Sequence, residues 1–205
     1  MSTRGNYVFI DVPYVVDEEL NYVKDKEGRL ILDVKELNQL EKTIDDELLS
    51  IKYGQKIYVH SDNYPSGAVP PLLEFLNTSG AKNRVNDESY LAAWFTTYKC
   101  LEMLPYTRSF FNDEFKPEDC VNPSYEDLIA SNDLFGVGLI TGLSYWANYT
   151  YVICPELKSL EGTETTGNSI IYVYDVSYRN RNCKFIGKFK STDDLEDLKE
   201  KEWWD

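Results

Sequence analysis

Ile57-Tyr58-Val59-His60-Ser61-Asp62-Asn63-Tyr64-Pro65-Ser66-Gly67 passes from β-branched and aromatic residues into turn formers, and Val69-Pro70-Pro71-Leu72-Leu73-Glu74-Phe75-Leu76 follows it. The pattern predicts a strand that ends in a tight turn and feeds a short helix. His60 is the only histidine in the chain. His60, Asp62 and Tyr64 are spaced by two and share a face wherever the strand persists. Pro65 and Gly67 punctuate the turn, while Pro70 and Pro71 suit a first helical turn, where a missing N–H costs nothing. An imidazole, a carboxylate and a phenol thus stand beside a helix N-terminus, whose N–H groups favour an anion. This is the best candidate site in the sequence, and it matches no catalytic motif.

N-terminal to it, residues 6–16 read as a strand ending near Pro13. A polar interval through Gly28 leads to a second short strand at Arg29–Leu32. Asp33 and Glu36 form a capping box, and Leu37, Leu40, Ile44, Leu48 and Ile51 make one helical stripe closed by Gly54. C-terminal to it, Asn77–Asn86 reads as a loop. Asp87 caps a long helix with a stripe of Tyr90, Leu91, Trp94, Phe95, Tyr98 and Leu101, stopped by Pro105. Ser124 and Asp127 mark another helix.

Phe135–Leu143 and Tyr145–Cys154 suggest a hairpin turning at Gly142–Ser144. Ile170–Val176 and Cys183–Phe189 suggest a second one. Ser191 and Asp194 cap a short final helix, after which Trp203 and Trp204 either fold back onto the body or form an exposed end. No repeat or linker divides the chain. The expectation is one α+β domain over residues 1–205, with a mixed or antiparallel sheet, about four helices and a strand-rich C-terminal half.

The chain has 205 residues, 42% of them apolar and 14% aromatic, enough for one sizeable core. Acidic residues number 35 against 21 basic, a net charge of −14. Such a surface confers solubility first of all and repels nucleic-acid phosphates and anionic membranes; it leaves open a basic protein partner or mimicry of a nucleic acid's charge. Cys100, Cys120, Cys154 and Cys183 form no C-x-x-C pair and stand with one histidine, which argues against structural zinc or any other metal site. The opening residues lack the apolar core of a signal peptide, and no run is long enough to span a bilayer. These features predict a cytosolic protein with reduced thiols.

Motifs for serine hydrolases, zinc proteases, calcium loops and phosphate-binding loops are missing. Gly136-Val-Gly138-Leu-Ile-Thr-Gly142 falls one residue out of register for a dinucleotide loop and lies in an apparent strand, so its glycines read as bulges or close-packing points. No cofactor is implied. Arg179 and Arg181 read as a solvated hairpin loop rather than an anion-binding lip.

Ser2-Thr3-Arg4-Gly5-Asn6 and the His60–Pro65 segment together resemble an uncharacterised family of phage and bacterial proteins. Its members begin with a Ser-Thr-Arg-Ser/Gly-Asn run and later carry His-x-Asp-Gly-Tyr-Pro before a helix. The shared positions are Thr3, Arg4, Asn6, His60, Asp62, Tyr64 and Pro65. Asn63 stands where the family has glycine, and asparagine is the residue best able to take over a positive φ there. Ser61 stands where the family often has an aromatic. The resemblance implies a phage-type accessory protein in bacterial cytoplasm.

If the first strand pairs with residues 55–60, Thr3, Arg4 and Asn6 converge on His60, Asp62 and Tyr64. These six are the candidate ligand-binding residues. An Arg4–Asp62 ion pair is the structural explanation of both motifs, and a bound phosphate the functional one. The leading expectation is binding of a small phosphorylated ligand, in a phage setting a nucleotide signal sequestered to counter host defence. The alternative is an acidic inhibitor or immunity-type protein that binds a host protein. A third is a hydrolase with His60 as base and Asp62 as its orienter. The balance leans away from an enzyme, and the sequence does not set the oligomeric state.

Overall fold

β-Branched and aromatic runs pair into a seven-stranded sheet in the computed structural model, which describes residues 3–45, 54–60, 63–111, 136–141, 143, 147–160, 164–177 and 182–204. The strands are β1 (Gly5–Phe9), β2 (Ile44–Asp45), β3 (Gln55–Val59), β4 (Gly138–Ile140), β5 (Tyr149–Leu157), β6 (Thr165–Ser177) and β7 (Asn182–Lys190). Their order is β2-β7-β6-β5-β1-β3-β4. β1 runs parallel to β5 and every other pair is antiparallel. The described helices are α1 (Val34–Gln39), α2 (Pro65–Leu76), α3 (Ser79–Asn83), α4 (Glu88–Phe111) and α5 (Leu195–Lys199). The chain is a single α+β domain with a strand-rich C-terminal half.

All five residues of β1 are buried, because the strand is paired on both edges and covered on both faces. Tyr7 and Phe9 face α2 and α4, in a core with Ile57, Tyr151, Phe75 and Phe95. Val8 and Ile10 face the other way, toward Leu40, Val152 and Tyr174. The aromatic stripe of α4 is therefore core. The Phe95 ring lies within 6.4 Å of the rings of Tyr7, Phe9, Phe75 and Tyr98.

Several sequence expectations are corrected. The helix capped by Asp33, whose Oδ1 accepts from the Glu36 N–H at 3.0 Å, ends at Gln39. Ile44 leaves the helical stripe and pairs with Cys183 at the sheet edge, where it is buried; Leu48 and Ile51 lie outside the described residues. Residues 138–140 and 149–157 are strands but not a hairpin, since β3 and β1 lie between them. β5 is apolar enough to be buried on both faces, so it takes a central place beside β1.

Pro105 does not end α4, which continues to Phe111. The proline leaves that helix one backbone hydrogen bond short. The 77–86 loop contains α3, capped by Thr78. The helix expected after Ser124 and the pair Arg179 and Arg181 lie outside the described residues. The second hairpin, β6–β7, forms as expected. Trp203 and Trp204 fold back, Trp203 stacking on Phe189 and Trp204 entering the helix-side core.

Phe95 is fully buried and Leu101, two turns on, is 44% exposed. Phe95→Ala should cost about 3–5 kcal/mol in urea unfolding, and Leu101→Ala well under about 1 kcal/mol.

Candidate functional site

The turn after β3 is held by Asn63. Its side chain is fully buried, and Nδ2 donates to the carbonyls of Val59 at 3.1 Å and Thr3 at 3.4 Å. Oδ1 accepts from the Tyr7 hydroxyl at 2.6 Å. The backbone N–H donates to Thr3 O at 3.2 Å, and the carbonyl accepts from the Tyr151 hydroxyl at 2.9 Å. One residue thus ties the turn to β1 and β5. Gly5 makes room for it, because a Cβ there would lie 2.7 Å from the Asn63 Cβ. Leu20 is the only described non-glycine residue with positive φ, so Asn63 does not stand in for glycine's backbone freedom as expected. Its amide is what the turn uses.

β1 pairs with β3 as the expected geometry requires. Gly5 faces Val59, so Arg4 and His60 stand opposite each other just beyond the paired ends. Thr3 is buried and contributes its carbonyl. The Arg4 N–H donates to Asn148 Oδ1 at 3.2 Å, and its carbonyl accepts from Asn148 N at 2.8 Å. Asn6 is fully buried, and its Nδ2 donates to Thr150 Oγ1 at 3.3 Å across the β1–β5 pair. His60 is half-buried, with Nδ1 3.0 Å from the Tyr58 hydroxyl and Gly136 close to its Cβ. Tyr64 is 49% exposed at the start of α2, its ring 6.0 Å from that of Tyr149. Asp62 lies outside the described residues, as does Ser61.

The start of α2 presents fewer donors than expected. The helix begins at Pro65, which has no N–H, and the Gly67 N–H donates to the Tyr64 carbonyl at 2.9 Å. Pro70 and Pro71 lie inside the helix rather than in its first turn. They can be borne because Val69, Leu72, Leu73 and Phe75 anchor this helix in the core.

The chain also builds a surface the motifs did not point to. Between β1 and α1, residues 14–32 form a small three-limbed ribbon with isolated bridges Tyr14–Leu32, Val16–Tyr22 and Lys24–Leu30. Its backbone bonds close a ring: Val15 N to Ile31 O, Ile31 N to Val23 O, and Val23 N to Val15 O, at 2.8–3.1 Å. Two turns join the limbs, and each is organised by an aspartate. Asp17 Oδ1 accepts from the N–H of Glu19 and Asn21, and Asp25 Oδ1 from that of Glu27 and Arg29, all at 2.9 Å. The Asn21 and Arg29 N–H groups are the largest reason both carboxyls sit below the usual carboxylate range.

Asp17-Glu-Glu-Leu20-Asn21 and Asp25-Lys-Glu-Gly28-Arg29 are thus one turn used twice, an eight-residue echo that sequence reading passed over. The second turn places Gly28 at φ +82°, and the first places Leu20 at φ +65°. A side chain in that region costs roughly 1–2 kcal/mol. Leu20 is also 81% exposed.

A cleft of about 420 Å3 opens at the base of this ribbon, lined in part by Ile10, Asp11, Tyr14, Leu20, Tyr22 and Glu88. Burial pushes the Asp11 carboxyl up, Glu88 adding to that effect and the Val12 N–H opposing it. No described lysine or arginine pairs with Asp11 or Glu88. A second cleft, also about 420 Å3, lies between Tyr149, Lys184 and Trp203, and a third, of about 280 Å3, by Leu37 and Tyr172. None of these three is lined by Thr3, Arg4, Asn6, His60 or Tyr64, the candidate residues that are described.

Among the described residues no cluster of histidine, cysteine or carboxylates is placed to hold a metal ion, and no helix is long and apolar enough to cross a membrane. No protein family, curated protein or solved structure matches the chain.

Burial holds the Tyr7 and Tyr151 phenols well above their ordinary range, so both stay protonated as donors to Asn63. Their contribution to stability is whole below the unfolded tyrosine value of about 10 and is lost as pH rises beyond it. Tyr7→Phe, which leaves Asn63 Oδ1 without its donor, should cost about 1–3 kcal/mol at neutral pH. Its urea midpoint should fall less steeply than the wild type's between pH 9.5 and pH 11, roughly the range set by that value.

Proposed function

We propose that the protein is an acidic accessory protein that binds a basic protein partner, as an inhibitor or immunity-type factor. The observation that carries this reading is the ribbon of residues 14–32. Val16, Leu20, Tyr22, Ile31 and Val34, in or next to it, are five of the ten large apolar side chains exposed among the described residues. They stand on a chain of net charge −14. Apolar anchors on an acidic ground suit association with a cationic protein surface, with charge speeding encounter and apolar burial holding the complex. The resemblance to phage and bacterial proteins suggests bacterial cytoplasm as the setting.

The phosphorylated-ligand reading has less behind it. Asn6 spends its amide on Thr150, Thr3 gives its carbonyl to Asn63, and the start of α2 is poor in donors. His60 and Arg4 are then supports of the β1–β3 end rather than ligand contacts. The hydrolase reading needs Asp62, which lies outside the described residues, to orient His60; His60 Nδ1 also lies 3.0 Å from the Tyr58 hydroxyl.

Native mass spectrometry of the purified chain separates these readings. After incubation with the protein fraction of a bacterial lysate, a discrete protein complex is expected, and it should persist in His60→Ala. The small-molecule fraction should leave the mass unchanged. A small added mass that disappears in His60→Ala would instead establish the ligand reading.

A further inference from the structure

Leu20 is the least economical residue on the described surface. It holds a backbone conformation that its sister turn gives to Gly28, and it exposes most of its side chain. Glycine would serve the turn as well or better, because Asp17 supplies the same hydrogen bonds that Asp25 supplies in the second turn. Backbone strain combined with apolar exposure, without a folding benefit, points to use in recognition. The ribbon is also fixed in place: Asp33 N donates to Pro13 O at 2.9 Å across its base, and Val12 is buried against the body. Leu20 is therefore presented on a rigid mount.

The cleft beneath it has two chemistries. Leu20, Tyr14, Tyr22 and Ile10 give it apolar walls, with the Tyr14 and Tyr22 rings edge to face at 5.8 Å. Asp11 and Glu88 line it as carboxylates close enough for Glu88 to raise the Asp11 carboxyl, and no described cation answers either. A pair of like charges beside apolar walls is complementary to a cationic group on an apolar stem.

Resting on the partner-binding reading above, we infer that the cleft between the Leu20 turn and Glu88 is the docking site for a lysine- or arginine-bearing apolar segment of the partner. Leu20 and Tyr22 cover the apolar side chains of that segment, and a cationic head sits between Asp11 and Glu88. A free anion or nucleotide phosphate is excluded from this cleft by its charge.

The test uses the full chain, isotope-labelled for NMR, and a synthetic amphipathic peptide of lysine and leucine. A peptide with the same lysines and serine in place of leucine is the control. The lysine–leucine peptide should shift amide resonances in residues 10–22 and near Glu88, and bind at least roughly tenfold more tightly than the control. Leu20→Gly should lower that affinity about tenfold while leaving the melting temperature unchanged or higher. Asp11→Asn combined with Glu88→Gln should weaken binding by about tenfold as well, whereas Glu200→Gln, elsewhere on the exposed surface, should not.

Equal binding of the two peptides, or unchanged affinity in Leu20→Gly, overturns the inference. So does a lowered melting temperature in Leu20→Gly, which would make leucine a folding residue. If a lysate protein still binds while Leu20→Gly and the Asp11–Glu88 variant bind it normally, the docking site fails and the partner reading stands. If no protein is captured, the partner reading itself fails.

Discussion

The hydrogen bonds of Asn63 to Tyr7, Tyr151, Thr3 and Val59 are the constraint on which the rest of the chain depends. A buried amide and two buried phenols are costly unless each finds a partner, and here they satisfy one another. The arrangement fixes the turn after β3 against the entry of β1 and the middle of β5. It also fixes the start of α2, which begins one residue after Asn63's neighbour Tyr64 and covers the helix-side core. Thr3 and Gly5 on one side and Val59 and Asn63 on the other then make sense as the two halves of one joint.

β1 carries the consequence to the other end of the molecule. It is clamped at Gly5, runs buried to Phe9, and Ile10 N extends the pairing by donating to Ile153 O at 3.0 Å. Asp11 and Val12 follow directly, and the ribbon grows from that point. The position of the acidic cleft relative to the sheet is thus set by a fully buried strand paired on both edges. We propose a division of labour along β1, with the polar motif at its entry serving the fold and the ribbon at its exit serving recognition.

Much of the architecture was readable because period and punctuation agreed with tertiary burial. The β6–β7 hairpin has two β-branched and aromatic runs separated by a polar stretch, and the aromatic stripe of α4 has one obvious role. Ile44 was not readable: its spacing from Leu40 fits a helix, and only the open edge of β7 draws it into a strand. The false hairpin before Cys154 arose because local sequence cannot report that β1 and β3 fill the gap between β4 and β5. Around Asn63 the sequence signals only backbone conformation, because its five partnerships come from residues at positions 3, 7, 59 and 151. The Leu20 turn did leave a signal, in the repeat of aspartate, glutamate and a left-handed position eight residues apart, with leucine once where glycine stands in the other copy.

Equilibrium unfolding of Asn63→Gly tests the central claim most directly. Glycine has the greatest backbone freedom of any residue, so a turn that asked only for that freedom would be as stable or more so. If the amide is the joint, the substitution strands the Tyr7 hydroxyl, opens a cavity beside Gly5 and should cost at least about 2 kcal/mol in urea unfolding. An unchanged or increased stability would contradict the account.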